Sequence, residues 1–518
     1  MSPRFSVVTP VYEPPLDVLQ EAIDSVRTQT FPDWELVLVD DRSPSDAVRH
    51  VLRRACAADR RIRVIEREAN GGIVAASNDA ITAARGEFIA LLDHDDLLTP
   101  DALEVMARAI DEGPEVDFLY SDENKINEHG SYQDLFRKPD WSPERLRNQM
   151  YTGHLSVLRT ALVREVGGFR SQFEGSQDWD LALRISEKAR RIVHIRQVLY
   201  HWRIIPGSAA GDAVAKPYAV EAGGRAVQAH LDRLGIRGRV ELSPYPGALR
   251  IHREMPRERR VSIVIPTRGS SGMVWGETRT FVVEAIRSAL SRTSFTNLEV
   301  VVVYDLDTPP HVLDEVRGLV PAGDLVLVAF AKPFNFSEKC NVGVLASSGD
   351  VIVLLNDDVQ IRSDEWLTDL VAPLEEPDVG MTGARLLFDD GTVQHAGHVY
   401  FEGNLRHVHY GERGDVPGIF HSLTINRECS GVTAACAAMR RAVFDEVGGL
   451  TEILPVNFND VDLSLKVRHQ GYRIVWMAHA EAYHFESRTR SREVNPFEPE
   501  TIESRWDVSG ADPYLPAQ

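Results

Sequence analysis

Phe88-Ile89-Ala90-Leu91-Leu92-Asp93-His94-Asp95 is answered later in the chain by Val351-Ile352-Val353-Leu354-Leu355-Asn356-Asp357-Asp358. Each stretch is a continuous apolar run that stops abruptly at acids. A short run without polar alternation suits a strand buried on both faces of a parallel sheet. The echo continues in both directions and in the same order. Phe5-Ser6-Val7-Val8-Thr9-Pro10 pairs with Val261-Ser262-Ile263-Val264-Ile265-Pro266, and Trp34 to Asp41 pairs with Leu298 to Asp305. Glu165-Val166-Gly167-Gly168-Phe169 pairs with Glu446-Val447-Gly448-Gly449-Leu450. Such ordered self-similarity marks a duplicated unit. The spacing between partners widens between the acidic pair and the Gly-Gly pair, so the second copy carries an insertion.

Helix-like spacing over Leu16 to Thr28 and Ala47 to Ala57 lies between the strand-like runs. Alternating strands and helices predict an α/β fold with mainly parallel central sheets. The expected division is a first domain over 1–215, a linker of helix and short strands over 216–258, a second domain over 259–490 and a tail over 491–518.

The chain of 518 residues has 57 Lys and Arg against 77 Asp and Glu, a formal charge of −20. That balance excludes a general nucleic-acid binder, which needs clustered positive charge. The hydrophobic fraction of 43% is that of an ordinary folded protein. No run approaches the roughly 20 apolar residues of a membrane span. The opening residues run straight into a strand, without a signal-peptide pattern. Four cysteines, with no CxxC pair, point to a reducing cytoplasm and away from a zinc ribbon.

In open parallel sheets, ligands bind beyond the carboxyl ends of the strands. Asp93 and Asp95 stand there and, at a period of two, face one side. Two such carboxylates make a hard oxygen site suited to Mg²⁺ or Mn²⁺. The second copy keeps an oxygen at Asn356 and a carboxylate at Asp358. Asp41 and Asp305 follow the second strand of each copy, where a carboxylate either meets a base or ribose or caps a turn or helix. Asp178 and Asp460 open helices in matched segments; each is either a helix cap or a general base. His201 and His484 follow at nearly the same distance, within aromatic strands, as core residues or as third metal ligands.

Together these features resemble family 2 glycosyltransferases of the GT-A fold. The resemblance covers both halves, roughly 4–210 and 260–490, and looks closest to tandem enzymes of bacterial O-antigen and other surface polysaccharides. Ser121-Asp122-Glu123-Asn124-Lys125, Lys138-Pro139-Asp140-Trp141-Ser142-Pro143 and Tyr200-His201-Trp202-Arg203 carry it in the first copy. Pro333-Phe334-Asn335-Phe336-Ser337 and Tyr483-His484-Phe485-Glu486-Ser487-Arg488 carry it in the second. The resemblance implies two tandem GT-A domains and inverting sugar transfer from a UDP-, dTDP- or GDP-sugar. It places Pro10, Asp41 and Asp93, and Pro266, Asp305 and Asn356, on the nucleotide. Asp95 with His201, and Asp358 with His484, would hold Mg²⁺ or Mn²⁺. Asp178 and Asp460 would be the bases. It also implies a lipid-linked oligosaccharide or glycan acceptor, no nucleic acid, and peripheral contact with the inner face of a membrane. The residue before the base is often Glu in the family and is Gln177 or Asn459 here.

Two other enzyme classes fit poorly. A sugar nucleotidyltransferase needs a Gly-rich phosphate loop after the first strand, where this chain has Pro10-Val11-Tyr12-Glu13-Pro14-Pro15. A dinucleotide oxidoreductase needs GxGxxG, which is absent. The alternative that stays open is one active domain beside an inactive scaffold or acceptor-binding copy.

Overall fold

The computed structural model describes residues 2–205, 217–401, 403–485 and 495–514. The expected boundaries at 215/216 and 490/491 fall outside the described residues, as does the Glu486-Ser487-Arg488 end of the second-copy motif. The chain forms two compact units. The first holds residues 1–142, 149–236 and 240–249; the second holds 143–148, 237–239 and 250–518.

In the first unit, the strands Ile62–Glu66, Trp34–Asp40, Phe5–Val11 and Phe88–Leu91 lie side by side in parallel. Beyond them the sheet becomes mixed: Ser156–Arg159 runs antiparallel, then Val116–Ile126, Arg191–Arg203 and Leu97–Leu98 follow. The second unit repeats this order with Leu325–Phe330, Leu298–Asp305, Val261–Thr267, Val351–Leu355, Cys436–Arg440, Val379–Leu387, Arg473–His484 and Val359–Ile361. Both central strands are buried along almost their whole length, which is why they are mostly apolar and why the hydroxyls they carry are hydrogen-bonded inside, as at Ser6 and Ser262. The helix Leu16–Arg27 buries Leu19, Ala22, Ile23 and Val26, one stripe at helical spacing.

The duplication extends to hydrogen bonds. Ser6 Oγ donates to Glu35 Oε1 (2.7 Å) and accepts from the Gly86 amide (2.8 Å). Ser262 does the same with Glu299 (2.6 Å) and Gly349 (2.8 Å). Asn78 brackets both backbone groups of Phe169, and Asn341 brackets those of Leu450. Those residues follow the Gly-Gly pairs, whose φ values of +65° at Gly168 and +62° at Gly449 end a helix in the left-handed region that favours glycine.

The helix Pro217–Leu234 packs on the first unit, where His230 Nδ1 lies 2.6 Å from Glu187. The late helix Phe497–Arg505 docks on the second. Its buried Glu498 accepts from the amides of Val456 and Asn457, and Trp506 donates to Asp462 (2.8 Å). These contacts brace the turn that leads into Asn459 and Asp460. Among the described residues, no helix is long and apolar enough to cross a membrane.

Candidate functional site

The first unit has a cleft at the carboxyl ends of its parallel strands. Pro10, Asp93, His154, Gln177 and Asp178 line it, above Val8, Leu91 and Leu181. Asp93 arrives from the end of the strand Phe88–Leu91. Asp178 arrives on the first turn of the helix Gln177–Ser186. Two residues on, around the helix, Asp180 points into the interior instead and is held by Arg170 and Arg184. Burial raises the Asp178 carboxyl above the usual range; Asp93 adds to that rise and His154 opposes it. Burial and then Asp93 raise Asp95 likewise.

Asp93, Asp96 and His154 offer ligand atoms within 4.8 Å of one another. Asp96 is fully buried, and accepts from Tyr200 Oη (2.5 Å) and from the Arg203 amide (2.7 Å). His154 stacks on Tyr200, with ring centroids 4.6 Å apart. Its backbone is pinned at both ends: its amide donates to Glu123 (2.8 Å), and buried Lys138 donates to its carbonyl, to the Thr152 carbonyl and to Glu123. Glu123 and Lys138, one from each of the Ser121–Lys125 and Lys138–Pro143 motifs, thus hold the backbone of His154.

His201 goes elsewhere. Leu97 pairs with His201, whereas its counterpart Gln360 pairs with Tyr483. The match of Tyr200-His201-Trp202 to Tyr483-His484-Phe485 is thus one residue out of step with the sheets, and a one-residue slip turns a strand side chain to the opposite face. His201 Nδ1 lies 2.6 Å from Asn124 Oδ1, and its ring stacks on Tyr132.

Asp41 and Asp305 each accept hydrogen bonds within their own unit. Asp41 accepts from the amides of Gly71 (2.9 Å) and Gly72 (2.8 Å) and from Arg67 (2.5 Å), capping the helix Gly72–Ala83 with a negative charge. Asp305 accepts from buried Lys339 (2.7 Å), which also donates to the Thr267 carbonyl (2.7 Å) beside Pro266.

In the second unit, Asn356, Asp460 and His484 line one pocket. His484 Nδ1 lies 2.6 Å from Gln394 Oε1, so Nδ1 carries the proton and Nε2 faces Asp358 Oδ1 (3.2 Å) and Asn356 Nδ2 (3.4 Å). Asn356 Oδ1 is buried without a hydrogen-bond partner. An imidazole lone pair, a carboxylate and an orphaned amide oxygen side by side fit a divalent cation. Burial, followed by the charge of Asp358, pushes Asp357 up to about 7, although Thr267 donates to it (2.7 Å). Asp460 accepts from the amides of Val461 (2.9 Å) and Ala434 (3.3 Å). The same pocket is walled by His395, His398 and His407.

Sequence reasoning missed His154 and the three-histidine wall. It relied on repetition, and neither is repeated: Ala435 stands opposite His154 after the corresponding strands are aligned. The wall belongs to the insertion peculiar to the second copy.

The chain belongs to glycosyl transferase family 2, whose profile matches residues 6–167 and 262–448, one stretch in each unit. The two sheets have the GT-A-like α/β architecture of that family. Over 95% of its length the chain is 45% identical to y4gI of Sinorhizobium fredii, and it is 35% identical over the same share to the O-antigen biosynthesis protein RfbC of Myxococcus xanthus. It spans 54% of the first and 38% of the second, about half or less of those relatives. Among solved structures, TarS of S. aureus in complex with UDP matches 44% of this chain and 65% of its own, at 23% identity and a TM-score of 0.36.

Proposed function

We propose that each unit is an inverting, metal-dependent transferase site and that the two sites build different linkages of a bacterial surface polysaccharide from nucleotide-sugar donors. The observation that carries this reading is that each unit has one pocket joining the acidic strand end to the helix-initial aspartate, Asp93 with Asp178 and Asn356 with Asp460. The similarity to an O-antigen biosynthesis protein supports a lipid-linked or glycan acceptor. Such an acceptor would be met at the inner face of a membrane.

In this reading, Asp178 or Asp460 accepts the proton of an acceptor hydroxyl as its oxygen attacks the anomeric carbon. The sugar–phosphate bond breaks on the opposite face, so one base suffices and the configuration inverts. A bound Mg²⁺ or Mn²⁺ would stabilise the charge on the departing diphosphate. Asn356, Asp358 and His484 would hold it in the second unit. In the first unit, Asp93 with Asp95 or His154 would hold it. Burial sets the Asp178 base above its usual pKa.

The test is product mass from defined acceptors and a panel of nucleotide sugars, with Asp178→Asn and Asp460→Asn. Each variant is expected to lose one transfer by about 10²–10⁴-fold and to keep the other. If Asp460→Asn leaves every product unchanged, the second unit is a scaffold. If either single variant removes all products on all acceptors, the sites are coupled and the two-site reading fails.

A further inference from the structure

We propose that His395, His398 and His407 form a second metal site in the same unit, selective for a borderline divalent ion such as Zn²⁺ and separate from the Asn356, Asp358 and His484 set. One ring nitrogen from each of the three lies within 4.8 Å of the others. The rings stand nearly perpendicular to one another, with centroids 4.9 to 5.0 Å apart. Three imidazoles with an open fourth position are a recurrent Zn²⁺ ligand set, and nitrogen donors favour Zn²⁺ over the oxygen-seeking Mg²⁺.

The backbone presents the three rings together. His398 and His407 are directly opposed across the hairpin of His398–Phe401 and Asn404–His407, and His395 ends the strand just before it. A turn through Gly397, at φ +97°, brings His395 and His398 to the same place.

The strongest sign of a ligand site is His398. The residue is 1% exposed, yet its Nδ1 is buried without a hydrogen-bond partner among the described residues. Buried polar groups are almost always paired, so an orphaned imidazole facing two others calls for an explanation. A site for an anion would need charged rings, whereas burial holds His395 well below its usual pKa and His398 at about 3. A neutral ring can offer a lone pair to a metal, which a protonated ring cannot.

His395 and His407 already approach Nδ1 to Nδ1 at 2.9 Å, with a proton shared between them. The Thr433 amide donates to His395 Nε2 at 3.2 Å, which keeps the His395 proton on Nδ1 until an ion binds. Loading through Nδ1 moves that proton to Nε2 and gives up the Thr433 contact, a long one. Net charge on the ring is unchanged. The three rings line the pocket that also holds Asp460. The ion's open position would be taken by water or an acceptor oxygen on that side, and the ion would stiffen the hairpin that walls the pocket.

The experiment is metal analysis of the full chain after chelation and reloading, with Zn²⁺ for stoichiometry and Co²⁺ for its visible absorption. Four-coordinate imidazole sites give strong Co²⁺ bands; oxygen-rich six-coordinate sites give weak ones. Wild-type chain is expected to show the strong bands and one Zn²⁺ equivalent that His398→Leu and His407→Gln each remove. Asp358→Asn should keep both signals, even if it abolishes transfer, which separates this proposal from the proposed function. Because His398 Nδ1 has no hydrogen-bond partner to lose among the described residues, His398→Leu should fold and keep the melting temperature of the metal-free chain. Wild-type chain without the strong bands, or His398→Leu with undiminished Zn²⁺, overturns the proposal and leaves the cluster as a water-filled recess.

Discussion

Replacing Lys138 with methionine should destabilise the first unit and disarm its site together. The ammonium is buried, and donates to Glu123 Oε2 (2.9 Å), to the Thr152 carbonyl (2.7 Å) and to the His154 carbonyl (2.5 Å). Methionine fills much of the same volume but leaves a buried carboxylate and two carbonyls unmet. Removing one partner of a buried ion pair costs about 3–5 kcal/mol. At about 2–4 °C per kcal/mol for a domain of this size, the unfolding transition of the first unit should fall by roughly 6–20 °C. His154, no longer pinned from below, should stop meeting Asp93, so the product of the first unit should be lost while that of the second persists. Calorimetry reads the change in melting, and product mass reads the two activities. Adding Glu123→Gln should recover much of the stability, because it removes the stranded charge while keeping an acceptor for the His154 amide. A loss below about 1 kcal/mol, or a double variant no more stable than the single one, would show that the buried pair does not hold this loop.

His154→Gln and His484→Gln should each raise the metal concentration needed for half-maximal transfer by the affected unit, whereas His201→Gln should not; the opposite ranking of His154 and His201 would refute the register argument. The pH dependence of stability has a definite sign. Asp95, Asp96 and Asp357 are raised by burial first and by neighbouring acids second, and burial raises Asp178. A raised folded pKa means that the native chain binds these protons more tightly than the unfolded chain. The stability they contribute is therefore present below about pH 4 and lost as pH climbs toward about 7. Asp117 and Glu187, held low by their arginine and histidine partners, act in the opposite sense: the stability they contribute is lost as pH falls through the unfolded carboxyl range near about 4, and it has levelled off above about pH 6. The metal-free melting temperature should fall from about pH 5 to pH 7, and saturating Mn²⁺ should reduce that fall; a flat profile, or a metal effect independent of pH, would contradict it.

The sequence by itself determined the duplication, the strand order at the start of each copy and the acids at the strand ends. Those features are local and repeated: a short β-branched apolar run such as Val351 to Leu355, echoed at Phe88 to Leu92, reads as a buried strand, and Asn356 to Asp358 then lie at its carboxyl end. Asp178 and Asp460 were legible for the same reason, as acids opening helices at matched positions. The tertiary structure decided the rest, because it turns on contacts between residues far apart in the chain. The carboxylate of Asp41 is consumed by amides 30 residues later, which no motif announces. His201 and His484 share a motif but not a face, since pairing with a neighbouring strand sets the register and a slip of one residue reverses every side chain. His154 enters the first site only because Lys138 and Glu123 hold its backbone there. The cluster of His395, His398 and His407 exists only once a hairpin has closed, because three scattered histidines become a site through the pairing of two strands.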